Sequence, residues 1–386
     1  VSTIPLDALP METLRRRSSS KWRTYPADVL PLFVAETDFP LAPAITAALS
    51  DAVAIGDTGY TPRENGLADA FAGFAQRLFG WSVDPARVRP TGDVMMGVVE
   101  LLRATTRPGD AVVTTPPVYP PFAMCIEEAG CRVETVPLVD TGAGWQLDLD
   151  GIDAALAAGA RAVLLCNPHN PTGTAHRPEA LSALAEIAAR HGAVVISDEI
   201  HAPLAYDDTP YTPFLAASPT AASVGYAVTS ASKAFNLAGL KCAVMITAAE
   251  ETAAVVRALP PEVEWRTGLF GAISGVAAFG GASDDWLDAL RARLDGNRRL
   301  LGDLLRAQLP QAVYRMPEAG YLAWIDLSAY GWGDDPAVRI QRDAKVALHH
   351  GPQFGAEGVG FVRLNFGCAP DVLTDAVTRI GALAPA

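Results

Sequence analysis

The residues with the clearest chemical capacity are a lysine and two serines in Ser230-Ala231-Ser232-Lys233. The lysine follows the apolar run 224–228, which reads as a short strand, and precedes Asn236 and a second lysine, Lys241. A neutral lysine amine condenses with an aldehyde to give an imine. The hydroxyls of Ser230 and Ser232, with Lys241, suit an aldehyde that carries a phosphate, such as pyridoxal phosphate. The same residues are compatible with a solvated loop. Asp198 supplies a second candidate: it stands just past the apolar run 193–196, and ligands of parallel sheets gather at the carboxyl ends of strands. There it either caps the next turn or holds a protonated pyridine nitrogen, which keeps such a ring an electron sink.

Positioning these groups requires an alternating framework. Apolar runs at 111–115, 132–136, 161–166, 193–196, 224–228 and 242–247 read as strands, and 119–129, 178–191 and 248–258 as helices. The pattern predicts an α/β fold with a mostly parallel sheet covered on both faces. No Gly-x-Gly-x-x-Gly element supports a dinucleotide site. Residues 88–93 read as a turn feeding a helix that starts at Val94, whose free N–H groups suit a phosphate. Asp93 is equally a helix cap, and Val94 and Met95 have only backbone groups to offer. Pro116, Pro117, Pro120 and Pro121 flank Tyr119 in a rigid turn, where the ring either stacks on a ligand or packs in the loop. Asn170 can donate to a phenolate oxygen, and His201, near Asp198, fits a supporting hydrogen bond.

Toward the ends, prolines punctuate residues 1–45 and predict an extended arm in which Lys21, Trp22 and Tyr25 serve as packing anchors. Helices are predicted over 42–55 and 64–79, with Tyr60 in the turn between them. A polar connection at 262–267 precedes a small-residue helix at 269–279 and a long helix from Trp286 through Leu305. Strands at 313–315, 321–327 and 361–366 suggest a smaller mixed unit. The last alternates like a half-buried strand, and its Arg363 is either a solvated residue or a planar anchor for a carboxylate. His349 and His350, near Phe354 and Gly355, are either part of a substrate loop or two surface histidines.

The segments Asn167-Pro168-His169-Asn170-Pro171-Thr172-Gly173, Asp198-Glu199-Ile200-His201 and Ser232-Lys233-Ala234-Phe235-Asn236-Leu237-Ala238-Gly239 together resemble the class I/II aminotransferase superfamily, the pyridoxal-phosphate fold type I. Within it they resemble the MalY/PatB-like carbon-sulfur lyases, the cystathionine beta-lyase group. The similarity runs from Lys21-Trp22 to Arg363-Leu364-Asn365-Phe366. It implies an N-terminal arm over 1–45 that contributes to the small domain, a large cofactor-binding domain over 46–285 and a small α+β domain over 286–386. Lys233 would bind the aldehyde and act as base, with Asp198 and Tyr119 beside it as catalytic groups. The resemblance gives the cofactor Asp93, Val94, Met95, Asn170, His201, Ser230, Ser232 and Lys241, and a homodimer in which Tyr60 reaches the phosphate across the interface. It gives an amino-acid substrate Asn170, Arg363 and Glu36. In the segment 35–39, Glu36 and Thr37 depart from the group's Ala-Asp-Met-Asp-Phe pattern. The implied reaction is beta-elimination of L-cystathionine, with an aminotransferase as the alternative because both share a carbanion.

Composition narrows the rest. With 386 residues, 50% hydrophobic and 19% charged, the chain can bury a large core and form two domains. Forty-three acidic against thirty basic residues argue against a nucleic-acid surface. No stretch approaches the roughly 18 apolar residues of a membrane span, so a cytoplasmic enzyme without a membrane segment is expected. The five cysteines are scattered without metal-ligand spacing and are expected to be buried, with no metal site.

Overall fold

Apolar runs between residues 88 and 246 pair into a seven-stranded sheet in the computed structural model, which describes residues 5–384. The outermost residues of the predicted arm and of the predicted C-terminal domain, 1–4 and 385–386, lie outside the described residues. Across the sheet the order is Val88–Thr91, Ala243–Ile246, Gly225–Thr229, Val194–Asp198, Ala162–Cys166, Ala111–Thr114 and Arg132–Thr135. The last five are mutually parallel, and Ala243–Ile246 runs against both its neighbours.

Four of these strands are buried at every position, because helices cover both faces and leave no side for polar residues. Val112, Leu164 and Ile196 pack with Val98, Leu101 and Phe122 on one face. Val113, Val163, Leu165 and Val195 pack with Leu181, Leu184 and Ile152 on the other. Parallel strands all end on the same side, so the loops that carry Asn170, His201 and Lys233 converge there.

A four-stranded antiparallel sheet, ordered Val313–Tyr314, Leu322–Asp326, Phe361–Asn365 and His349–His350, forms the second unit. The 25-residue helix Asp284–Gln308 leads into it, burying Trp286, Leu290, Leu294, Leu301 and Leu305 at helical spacing. Pro370–Gly381 packs beside that helix.

Several elements differ from the sequence-based expectations. Val88–Thr91 is an antiparallel edge strand rather than a turn; Arg89 and Pro90 mask its period. Asp198 is the last residue of its strand rather than just past its end. Phe361–Asn365 is buried rather than half-buried, because the arm covers the face on which Arg363 and Asn365 lie: Phe33, Val34 and Glu36 supply carbonyls to these two side chains. Residues 262–267 contain the single helical turn Glu262–Trp265. The arm contains two more such turns, Met11–Leu14 and Ser20–Arg23, and Leu30–Pro31 pairs in parallel with Val346–Ala347. Lys21 anchors the arm by an ion pair: its ammonium lies 2.7 Å from Asp38 and is fully buried.

Among the described residues no helix is long and apolar enough to cross a membrane, and no group of three or more His, Cys, Asp or Glu is arranged to hold a metal. The five cysteines are free, four of them buried and Cys242 partly so.

Candidate active site

The turn after Gly225–Thr229 is pinned from both sides. Ser230 donates its hydroxyl proton to the Cys242 carbonyl at 2.6 Å and accepts from the Ser232 N–H at 3.0 Å. Phe235, fully buried, stacks on Trp286 with ring centroids 5.5 Å apart. Asn236 takes a left-handed backbone (φ 58°), and its side-chain amide both accepts from and donates to the Thr37 backbone. Lys233 is thereby held facing a cavity of about 180 Å³ at the carboxyl end of the sheet. Its ammonium donates to the Ala35 carbonyl at 3.2 Å. Burial, reinforced by the charge of Arg363, pulls this amine down to about 8, against the opposing pull of Glu36 and Asp198.

Asp198 lines the same cavity, buried, with one oxygen accepting from the Ile200 N–H at 3.0 Å. Burial pushes its carboxyl up to about 7, and Lys233 pulls the other way. Asn170 lines the cavity too, on a loop turned at Gly173 (φ 71°), where a Cβ would lie 2.3 Å from Pro317. The Asn170 side-chain oxygen accepts from Arg363 at 2.9 Å. Arg363 therefore sits behind Asn170, 2% exposed. It also donates to the Phe33 carbonyl at 3.0 Å and contacts Nδ1 of His349 at 2.7 Å. Among the described residues no carboxylate lies within 4 Å of it, and burial lowers its guanidinium to about 10.

At the cavity's far end, Asp93 caps the helix Val94–Thr105 by accepting from the Met96 N–H at 2.9 Å. Its second oxygen accepts from Lys241 at 2.8 Å. Val94 and Met95, in the helix's first turn where N–H groups lack intrahelical partners, line the cavity together with Ser230, Ser232 and Lys241. Tyr119 and His201 complete the wall. Burial raises the Tyr119 phenol and lowers His201 to about 3, so this imidazole is neutral. Nδ1 of His201 is buried without a hydrogen-bond partner.

Three expected site residues do not line this cavity: Arg363 adjoins it through Asn170, and Tyr60 and Glu36 stand apart. Tyr60 is fully exposed. Glu36 is partly buried in the arm, where its backbone carbonyl accepts from Lys21 and Asn365 while its charge acts on Lys233 from a distance. Ser230 does line this cavity, and its hydroxyl donates to the Cys242 carbonyl here.

Two groups at the site were not identified as such from the sequence: the Ala35 carbonyl, which accepts from both Lys233 and the Tyr321 hydroxyl, and Cys166, which forms part of the cavity lining. His349, read as either part of a substrate loop or a surface histidine, touches Arg363. Only the register that sets His349 opposite Arg363 brings that last pair together. A larger cavity of about 400 Å³ lies beside the hairpin that carries Trp145. Its arginines are already paired, Arg177 with Glu318 and Arg315 with Asp140. Size alone does not choose the site; the amine and the carboxyl do.

The donor set fits pyridoxal phosphate. It offers an amine for the aldehyde, a buried carboxyl with one backbone hydrogen bond for the ring nitrogen, an amide for the phenolic oxygen, and N–H groups with an ammonium for the phosphate.

Comparison with known proteins agrees with this chemistry. The family model for aminotransferase class I and II matches residues 27–380. The chain is 42% identical over 399 residues to a Mycobacterium leprae protein assigned as a cystathionine beta-lyase, covering 98% of this chain and 97% of that one. It is 34% identical to the cystathionine beta-lyase of Corynebacterium glutamicum, covering 97% and 98%. The crystal structure of a Corynebacterium diphtheriae protein assigned as a PLP-dependent beta-cystathionase superposes with a TM-score of 0.93 at 35% identity, covering 98% of each chain. Motifs, sheet order and whole-chain similarity coincide, and the chain belongs to the class I and II aminotransferase family.

Proposed function

We propose that this protein is a pyridoxal-phosphate-dependent carbon-sulfur beta-lyase that converts L-cystathionine and water to homocysteine, pyruvate and ammonia. One observation carries the reading: Lys233, Asp198 and Asn170 line one cavity, and Asn170 directly holds a buried arginine that has no acidic partner among the described residues. When bound, pyridoxal phosphate supplies an electron sink for the pair left at the substrate's alpha carbon. Lys233, neutral above about pH 8, would remove the alpha proton. Asp198 would hold the ring nitrogen's proton, Tyr119 would cover the ring, and Asn170 would donate to its phenolic oxygen. The N–H groups of Val94 and Met95, with Ser232 and Lys241, would grip the phosphate. Arg363 would hold the substrate's alpha carboxylate. The names of the relatives at 34–42% identity favour the lyase. Transamination is the alternative, since Lys233 can also return the proton.

The deciding experiment incubates cofactor-loaded protein with L-cystathionine, with and without a keto-acid acceptor. Thiol, pyruvate and ammonia in equal amounts without acceptor support the lyase. Products that require the acceptor, with no thiol released, overturn it.

A homodimer belongs to the same proposal, with residues 46–285 as the large domain and 286–386 as the small one. Tyr60, fully exposed beside exposed Ile55 (80%), supports a partner's coverage of this face and a role for Tyr60 at the partner's phosphate. Mixed dimers of Lys233→Ala and Tyr60→Ala chains contain one intact composite site and should recover activity; a monomer that is fully active rejects the arrangement.

A further inference from the structure

We propose that His349 positions Arg363 as a carboxylate anchor while leaving its charge uncompensated, through a neutral imidazole whose tautomer Gln353 fixes. This rests on the reading of Arg363 as the anchor for the substrate's carboxylate.

A guanidinium only donates, so the imidazole nitrogen 2.7 Å from Arg363, Nδ1, carries the lone pair. The ring proton is therefore on Nε2, which lies 3.0 Å from the side-chain oxygen of Gln353, an acceptor. Strand register brings the pair together, since His349 is the direct partner of Arg363 across the small sheet. Phe354 packs against both, 4.8 Å from the imidazole and 5.0 Å beneath the guanidinium. Burial beside Arg363 lowers His349 to about 4, which agrees with the tautomer assigned from geometry.

The choice of acceptors has a consequence for binding. Asn170, the Phe33 carbonyl and His349 all orient the guanidinium without neutralising it, and its Nε has no partner. A carboxylate at position 349 would satisfy the same donor and cancel the charge that a ligand carboxylate must meet. His349 is thus a positioning residue that separates aiming the arginine from discharging it.

The test uses cofactor-loaded protein and two probes without an amino group, 3-(methylthio)propanoate and its methyl ester, with affinities measured by calorimetry. In the wild type the acid should bind about tenfold or more tighter than the ester. His349→Asn places an amide oxygen where Nδ1 stood and should keep most of that preference. His349→Asp should reduce the ratio to about one, and in L-cystathionine assays its KM should rise by a larger factor than kcat falls. Thermal midpoints report folding. If the aspartate variant does not fold, His349→Leu serves instead and should lose about threefold or more of the acid preference. A wild type without acid preference overturns the assignment of Arg363 and this proposal with it. A wild-type preference that survives in His349→Asp, or in His349→Leu when that variant is used, overturns the role of His349 alone.

Discussion

Lys21 and Arg363 are both buried cations that donate to the irregular segment 33–38, and the molecule treats them oppositely. Lys21 meets Asp38 at 2.7 Å, both side chains at most 2% exposed. Burial still raises the Asp38 carboxyl despite that ammonium, so desolvation opposes the pair throughout. Arg363 is as deeply buried but, among the described residues, has only neutral acceptors and the face of Phe354. A cation neutralised inside the protein ties chain segments together. A cation left bare at comparable desolvation cost favours a ligand that brings the missing charge.

The largest effect should come from Arg363→Met. On the proposed function, kcat/KM for L-cystathionine should fall on the order of 10³-fold, as when one partner of a buried charged contact is removed. Folding stability, followed by urea unfolding, should fall less than in Lys21→Met, because the change strands neutral acceptors and no carboxylate. A comparable loss of stability and activity would break the contrast.

Lys21→Met should do the reverse. Asp38 would keep a buried charge without its partner, at a cost of about 3–5 kcal/mol in urea unfolding. Activity per folded molecule should persist, because Lys21 does not line the cavity. Changing both partners, Lys21→Met with Asp38→Leu, should shrink the loss to about 1 kcal/mol, since apolar pairs of similar volume replace buried ion pairs at little cost.

The two cations also show what the sequence reveals. The strands that carry Cys166, Asp198 and Thr229 are legible as unbroken apolar runs, and the groups at their ends follow from strand polarity. The partners of Lys21 and His349 are not legible. Lys21, in the turn Ser20–Arg23, finds Asp38 because the arm folds back on itself, and His349 finds Arg363 through an antiparallel register. Neither has a periodic signal. The strand that carries Arg363 is misread as half-buried because the covering layer is the arm, more than 300 residues away in the chain. Tyr60 marks the remaining gap, since its exposed ring acquires the proposed role only against a second chain.

The smallest effect tests whether Lys233 senses the bare charge of Arg363. Only the deprotonated amine attacks an aldehyde. In cofactor-free protein the rate of borohydride-trapped pyridoxal phosphate addition at Lys233 should therefore climb with pH and level off near 8, where an ordinary lysine would still be climbing. Burial is the first cause of this lowering and Arg363 the second, so Arg363→Met should move the plateau to higher pH while burial keeps it below the ordinary lysine value. Glu36 acts in the opposite sense by stabilising the ammonium, and Glu36→Gln should move the plateau to lower pH. Peptide mapping of the reduced adduct confines the measurement to Lys233. A plateau that stays fixed in both variants would mean that burial alone sets this amine, and that the charge of Arg363 is felt only by the ligand.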